Sequence, residues 1–152
     1  MEKEIEKILD EACAEIVKRH DEEGQRASGR TAASIKVETL GEWHWAIKAA
    51  SYIEVLQDGR RAGKVPANFA AIIAAWAKAK GLTFETAAAA RRFAYFTARK
   101  IAREGTLLHR SGRHIDILDT PLTTATKRIR EVVENTFETE IKNKLYGNDN
   151  NK

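Results

Sequence analysis

The sequence predicts an α+β fold in a single domain. Apolar residues recur every three or four positions near the start, in the middle and near the end of the chain, which is typical of helices. Between these stretches, apolar and polar residues alternate over two short segments, which indicates an antiparallel hairpin. The length of 152 residues suits one hydrophobic core. We therefore expect an N-terminal helix, a small antiparallel β-sheet built around a hairpin, two middle helices and a long C-terminal helix within residues 1–146, followed by a flexible tail at 147–152.

The first helix is predicted over about residues 3–20. Apolar residues from Ile5 to Val17 follow one helix face, with acidic residues early and basic residues late, as the helix dipole favours. The single cysteine, Cys13, lies in this apolar stripe and is expected to be a buried, inert thiol. The next stretch, DEEGQRASGR, has two glycines and no periodicity, so it predicts a mobile loop before Thr31.

The hairpin is predicted from two alternating segments, 35–38 and 43–48, on either side of Gly41 and Glu42. Its apolar face carries both tryptophans of the second segment. Because a lone hairpin is marginally stable in water, this face is expected to lie against the first helix or against further strands. The following segment 52–57, YIEVLQ, is compatible with a third strand or with a helical turn, and the sequence leaves both open.

The first middle helix is predicted between Asn68, a good N-cap residue, and Gly81, which stops it. Its expected inward stripe consists of Phe69, Ile72, Ile73 and Trp76. The second middle helix is predicted over about residues 84–104 and ends at Gly105. Its expected inward residues are Ala90, Phe93, Ala94, Thr97 and Ile101. Its outward side carries a basic stripe formed by Arg92, Arg99 and Arg103.

The last helix is predicted to begin at Asp119, Thr120 and Pro121 and to run to about Leu145. Its expected inward stripe consists of Leu122, Ala125, Ile129, Val132, Phe137 and Ile141. The preceding residues 106–118 are predicted to form a loop or extended segment with a basic tip. The carboxylates of Asp116 and Asp119 are expected to cap the helix N-terminus rather than to form a catalytic pair.

The glycine-rich loop DGRRAGKVP, residues 58–66, has the residue types of a phosphate-binding loop but not their spacing. A P-loop needs four residues between its glycines and a serine or threonine after its lysine. Three residues separate Gly59 from Gly63, and Val65 occupies the position of the hydroxyl residue. Pro66 also disfavours helical geometry just where the phosphate-binding helix would begin. The sequence therefore predicts no nucleotide site, and no cofactor is expected.

The histidines do not form a catalytic or metal-binding pattern. His109 and His114 lie five positions apart in a glycine-containing loop, which matches no recognised zinc spacing. His20, near a helix end, and His44, on the outward face of the hairpin, are expected to have structural roles. No nucleophile motif accompanies them. The sequence therefore predicts that the protein is not an enzyme and holds no metal.

The net charge of +4 is mildly basic, and the basic residues concentrate at three places. These are the outward helix stripe (Arg92, Arg99, Arg103), the loop with Arg60, Arg61 and Lys64, and the tip with Arg110 and Arg113. Such patches are either solvated or protein-facing, or they contact DNA phosphates without reading sequence. No apolar run has the length of a membrane span, and the acidic, amphipathic start is unlike a secretory signal, so we expect a cytoplasmic site of synthesis and no membrane partner.

Four segments of the chain resemble the neck or tail-completion (head–tail joining) proteins of tailed bacteriophages. They are SGRTAASIKV at 28–37, YIEVLQDGRRAGKVP at 52–66, the following helix with Ile72, Ile73 and Trp76, and FAYFTARKIAREGT at 93–106. The resemblance covers about residues 28–122. The polar stretch 21–30 and the long last helix depart from the family pattern and leave the position in the neck open.

This resemblance implies a structural virion protein, assembled in the host cytoplasm, that forms a six-fold or twelve-fold homo-oligomeric ring between the head portal or adaptor and the tail. Genome DNA would pass through the lumen without sequence-specific contact. The glycine and arginine loops are then expected to contact neighbouring subunits or partners through Asp58, Gly59, Arg60, Arg61, Gly63, Lys64, Arg110 and Arg113. The stripe of Arg92, Arg99 and Arg103 would face the channel or lie near DNA. The alternative function is a small cytoplasmic protein that binds DNA without sequence specificity.

Overall fold

The computed structural model describes residues 1–147. The elements follow the order α1 (Glu2–Glu22), α2 (Arg30–Ser34), β1 (Lys36–Gly41), β2 (His44–Lys48), α3 (Ile53–Asp58), α4 (Phe69–Ala79), α5 (Ala87–Glu104), α6 (Leu107–Arg110) and α7 (Asp119–Tyr146). This arrangement confirms the α+β fold class. Of the tail expected to be flexible, only Gly147 lies within the described residues, where it caps α7; the rest lies outside them.

The β-hairpin packs against α1, as the sequence predicts. β1 and β2 pair antiparallel with Val37 opposite Ile47, and both side chains pack onto a buried cluster that includes Ile16 of α1. Ile35, just before β1, is itself buried in this cluster. Cys13 is also buried there, and burial raises the pKa of its thiol above the usual value, as expected for an inert cysteine.

Only one of the two hairpin tryptophans lies on the packed face. The Trp45 indole Nε1 donates a hydrogen bond to Glu6 Oε1 of α1 at 3.1 Å. Trp43, at the turn, has a positive φ of 61° and leaves half of its side chain exposed, meeting Trp45 edge to face with ring centroids 6.4 Å apart. The expectation that Trp43 faces the core is wrong, because Trp43 belongs to the turn between β1 and β2 rather than to the paired strands.

α7 runs antiparallel to α1 and packs against it over only part of its length. Arg19 of α1 contacts Asp116 just before α7, and Glu11 contacts Arg128 at 2.6 Å further along. The helices share a cluster formed by Ile8, Ala12 and Ala125, with Ile129 and Val132 packed on it. At equal rise per residue, Glu2 lies opposite about Phe137, so the end of α7 extends beyond α1.

The predicted inward stripe of the last helix is therefore right for Ala125, Ile129 and Val132 and wrong for Phe137 and Ile141, which are exposed. Phe137 lies level with the first residue of α1 and about 140° around α7 from Val132, and Ile141 lies beyond the end of α1. Leu122 is exposed as well, although helical spacing puts it on the same side of α7 as Ala125 and Ile129.

α4 and α5 form a helical hairpin with a core of its own. Ile73, Ala94 and Ala98 are buried between the two helices, and the partly buried residues Phe69, Ala70, Phe93 and Ile101 complete this cluster. The inward face predicted for α5 is thus confirmed. Thr86 caps α5 by accepting a hydrogen bond from Ala89 N at 3.1 Å, and Gly105 ends the helix as predicted.

The outer side of α4 is more exposed than its apolar character suggests. Trp76 and Ile72 are 43% and 42% exposed, so the prediction of an inward stripe is wrong for these two residues. α4 packs mainly against one helix, α5, so only one of its faces is covered. Asn68 occupies the N-cap position without a side-chain capping bond, whereas Gly81 ends α4 with the two reversed hydrogen bonds of a Schellman motif.

Adjacent isoleucines of α4 provide a matched test of this orientation. We expect Ile73→Ala, which removes a side chain only 9% exposed, to lower the free energy of unfolding by about 2 kcal/mol. Ile72→Ala, one position away and facing outward, should cost less than about 1 kcal/mol. Denaturant unfolding of both variants measures the difference, and equal losses would show that the helix is rotated from the described position.

Three connecting segments differ from or refine the sequence prediction. The stretch before the first strand, predicted as a loop from Asp21, begins inside α1 and ends in the short helix α2. The segment 52–57, left open between strand and helix, is helical in α3. The predicted loop 106–118 contains α6, whose first turn is capped by the Thr106 hydroxyl. Within residues 1–147, no helix is both long enough and apolar enough to cross a membrane.

Candidate functional site

The two basic loops that the sequence treats separately lie against each other. We define residues 58–66 and 105–114 together as the loop junction. Arg60 N donates a hydrogen bond to Thr106 Oγ1 at 2.9 Å, and Thr106 N donates to the Arg60 carbonyl, also at 2.9 Å. Gly63 N donates to the carbonyl of Ala102 in α5 at 2.8 Å. These backbone bonds make the two loops one surface at the base of the α4–α5 hairpin.

Two glycines permit this close approach. Gly59 (φ 77°, ψ 174°) and Gly105 (φ 80°, ψ 178°) occupy a backbone region that is essentially restricted to glycine. A Cβ atom on Gly59 would lie 2.4 Å from His109 N, and one on Gly105 would lie 2.6 Å from the Arg60 carbonyl oxygen. Gly59 and Gly105 therefore permit the close contact between the two loops of one chain.

His114 bridges two carboxylates at the edge of the junction. Its Nδ1 lies 2.6 Å from Asp58 Oδ1 at the end of α3, and its Nε2 lies 3.0 Å from Asp119 Oδ2 at the start of α7. The hydrogen bond to Asp58, followed by the charges of both carboxylates, raises the pKa of His114 above 6.5. Gln57 extends the network, because its Nε2 donates to Asp119 Oδ1 at 3.1 Å and its Oε1 accepts from Leu118 N at 2.9 Å.

The capping role predicted for the two aspartates holds for one of them. Asp116 Oδ1 accepts a hydrogen bond from Thr120 N at 2.9 Å in the first turn of α7. This bond and the hydroxyl bond from Thr120 lower the pKa of Asp116. Asp119 instead contacts His114 and Gln57. Sequence reasoning missed this bridge because Asp58 and His114 are 56 positions apart and no local pattern links them.

The bridge predicts a pH-dependent contribution to stability. Since the pKa of His114 is raised in the folded state, its stabilisation is fully present below the unfolded value of 6.5 and is lost as the pH rises through the folded pKa. We expect His114→Gln to destabilise the protein at about pH 6 and to have little effect at about pH 9. Thermal unfolding at both pH values measures this. His44→Gln, on the exposed face of β2, is the control, and an equal effect of His114→Gln at both pH values would contradict the bridge.

An open groove of about 440 Å³ runs along the junction. Its lining includes the cationic side chains of Arg61 and Arg113 and the imidazole of His114, beside the carboxylates of Glu54 and Asp58. The part of the chain that the structure describes contains no group of three or more His, Cys, Asp or Glu residues placed to hold a metal ion. Mixed charge in a shallow, open groove suits paired contacts with a polar protein surface.

The predicted contact residues divide into two sets. Arg60 is half-buried: its guanidinium lies 5.5 Å from the Phe69 ring and donates to the Lys64 carbonyl at 2.7 Å. Arg110 pairs with Glu104 at 3.2 Å, and Asp58 is held by His114. The exposed set consists of Arg61, Gly63, Lys64 and Arg113, and the three charged residues in it form no ion pair within residues 1–147. The assignment of these residues to a contact surface stays a prediction.

The basic stripe of α5 is exposed as expected and includes aromatic side chains that the sequence argument passed over. Arg99 Nη1 donates to the Tyr95 hydroxyl at 3.1 Å, and its guanidinium lies 5.6 Å from the centre of that ring. Phe96 is 61% exposed, and its ring meets Tyr95 edge to face. Arg92 and Arg103 lie on the same side of the helix as Phe96. We call this mixed basic and aromatic surface the α5 face.

The end of α7 carries a second exposed apolar surface, which we call the distal α7 stripe. It consists of Val133, Phe137, Ile141 and Leu145, spaced four residues apart, and the last three are exposed. With Glu134 and Glu138 they line a shallow groove of about 660 Å³. The apolar spacing of four residues is the signal for this surface in the sequence, where Phe137 and Ile141 are instead predicted to face the core.

Comparisons of the chain with protein-family models, with curated proteins and with solved structures gave no match.

Proposed function

We propose that this chain is a structural protein of a tailed bacteriophage, a ring-forming connector that joins the head portal or adaptor to the tail. The proposal takes the resemblance of residues 28–122 as its starting point. It assigns the protein to the virion, with portal or adaptor and tail proteins as axial partners and a six-fold or twelve-fold ring as its assembly. No catalytic activity is part of it.

The observation that carries the proposal is the presence of two different exposed apolar surfaces on one small chain. One is the α5 face, with Phe96 and Tyr95, and the other is the distal α7 stripe. Monomeric proteins rarely leave several large apolar side chains exposed together unless a partner covers them. Two unlike patches suit a head-to-tail contact between copies, and such contacts close into rings when the rotation permits.

The internal organisation of the chain also suits a connector. The α1–α7 pair with its hairpin and the α4–α5 hairpin have separate buried clusters. The loop junction joins them through backbone hydrogen bonds, so the exposed side chains of Arg61, Lys64 and Arg113 stand on a constrained base. A constrained charged surface favours specific docking because less side-chain and loop entropy is lost on binding. This surface is the one we assign to axial partners.

The experiment that tests the proposal is removal of the protein from the phage that encodes it. A phage with an early stop codon in this gene should yield filled heads and free tails that are not joined, and the wild-type chain supplied from a plasmid should restore joined, infectious particles. Electron microscopy of the lysates counts joined particles. Normal numbers of joined particles in the absence of the chain would overturn the connector assignment.

A second function, DNA binding without sequence specificity, is favoured by the charge of α5. The helix carries five basic residues, Arg91, Arg92, Arg99, Lys100 and Arg103, against one acidic residue, Glu104. If this surface binds phosphates, duplex retention should fall steeply with salt, with a log–log slope of about one per phosphate contact. Titrations that stay flat at low salt would exclude this function.

A further inference from the structure

The α5 face has the composition of a protein contact rather than of a solvated helix side. Phe96 lies among Arg92, Arg99 and Arg103 on the outward side, and its side chain has little cover from the rest of the chain. Tyr95 holds Arg99 over its ring, which fixes one guanidinium beside the aromatic surface. Arginine next to exposed aromatic rings is the combination that is enriched at the centres of protein interfaces.

The distal α7 stripe complements the α5 face, because it is an apolar ridge with glutamates beside it. Its four apolar residues form a ridge along one helix, and the last three are exposed. Residues 131–141 contain four glutamates, Glu131, Glu134, Glu138 and Glu140, and no basic residue. Within residues 1–147, only Glu138 of these four forms an ion pair, with Lys142 on the same helix. An apolar ridge beside a glutamate-rich segment, which Lys142 and Lys144 follow, thus stands on the same chain as a basic helix with exposed aromatic rings.

The two surfaces cannot be satisfied by each other within one chain. α4 packs on α5, α7 packs on α1, and the two pairs make no extensive contact with each other in the described part of the chain. The complementary partner of each surface is therefore the other surface on a second copy. An alternative, antiparallel pairing of two distal stripes, would leave the α5 face uncovered.

We propose that the distal α7 stripe of one subunit docks on the α5 face of the next copy, and that this head-to-tail contact is the lateral interface of the ring. The inference rests on the proposed connector function, and it specifies which surfaces of neighbouring subunits meet in the ring. Phe137 and Ile141 pack against Phe96 and Tyr95, while Glu134 and Glu138 face the α5 arginines. Because the interface uses two different patches, it propagates from copy to copy. It assigns Arg92, Arg99 and Arg103 to the subunit interface instead of the channel.

Two single substitutions test the pairing. Phe137→Glu destroys the distal stripe and keeps the α5 face, whereas Phe96→Glu does the reverse. Both residues are exposed, so both variants should retain the circular dichroism and thermal midpoint of the wild type. Leu40→Glu is the control, because Leu40 is an exposed apolar residue on β1, outside both surfaces.

Native mass spectrometry and sedimentation velocity of the full chain measure the oligomeric state of each variant. We expect the wild type and Leu40→Glu to form oligomers and each of the other two variants to be monomeric. An equimolar mixture of Phe137→Glu and Phe96→Glu should form a heterodimer of twice the monomer mass and nothing larger, since one intact contact remains in that pair.

Several outcomes would overturn the inference. If the mixture stays monomeric, or if both variants assemble like the wild type, the two surfaces do not form the contact. If Phe96→Glu dimerises alone while Phe137→Glu does not, the stripe pairs with itself; if Phe96→Glu assembles normally but loses DNA retention, the α5 face binds DNA. A wild-type chain that is monomeric at every concentration also overturns it, while the connector function is judged separately by the particle-joining experiment.

Discussion

Ile117→Ala should lower the free energy of unfolding by about 2 to 5 kcal/mol. Ile117 is fully buried and belongs to the cluster that joins α1 to the hairpin, through Ile16 and Ile35. Ile53 and Leu56 of α3 pack on the same cluster, so Ile117 lies where α1, the hairpin and α3 meet. Truncation leaves a cavity that these elements cannot close without moving apart.

Denaturant unfolding of Ile117→Ala, followed by circular dichroism, measures this loss. Ile72→Ala serves as the matched control, since it makes the same chemical change at an exposed position. A loss below about 1 kcal/mol for Ile117→Ala would mean that the three parts of the fold do not meet at this residue.

Gly59→Ala should lower the free energy of unfolding by about 2 to 6 kcal/mol. The backbone conformation alone costs an L-residue about 1 to 3 kcal/mol, and overpacking adds about 1 to 3 kcal/mol. The atoms in the way are the His109 backbone nitrogen and the Thr106 hydroxyl, and the backbone nitrogen cannot rotate aside. The two loops must therefore separate, which breaks the hydrogen bonds between Arg60 and Thr106.

Gly112→Ala is the control for this prediction. Gly112 also has a positive φ, 64°, but a Cβ atom there would meet nothing within 4 Å. Its substitution should cost only about 1 to 2 kcal/mol from backbone conformation. Thermal and denaturant unfolding compare the two variants, and equal losses would show that the loops are not in close contact at Gly59.

The elements that the sequence predicts correctly are those with strong local signals. The first helix has a continuous apolar stripe, and the hairpin has alternation on both sides of a turn, so each was identified without knowledge of its neighbours. Gly81 and Gly105 end their helices because their backbone conformations favour glycine, which is a local property as well. Local signals therefore sufficed for the fold class and for most boundaries.

Errors arose where apolar residues face outward. An apolar residue on a helix indicates that something covers that position, but not whether the cover comes from the same chain. Trp76, Phe137 and Ile141 were assigned to the core on periodicity, yet they are exposed. In the proposed connector, these apolar residues are also buried, because another copy or a partner covers them in the assembly. Burial within one chain and burial in an oligomer leave the same pattern in sequence.

The sequence predicts which residues belong to the candidate site but not how they are arranged in space. The glycine and arginine content of 58–66 and 105–114 marked both loops, but their mutual contact depends on positions about 50 residues apart. Arg60 illustrates the consequence: it was expected to reach a neighbour, and its guanidinium is engaged with Phe69 and Lys64 of its own chain. Arg61, Lys64 and Arg113 keep the exposure that a contact residue needs.

The central claim, a connector ring at the head–tail joint, is tested most directly by electron microscopy of purified particles that carry an epitope-tagged copy of this chain. The account predicts antibody label at the neck and, in a symmetry-resolved reconstruction, six or twelve copies arranged as a closed ring between portal and tail. Particles that lack the chain, or that carry it only at the tail tip or capsid surface, would contradict the claim.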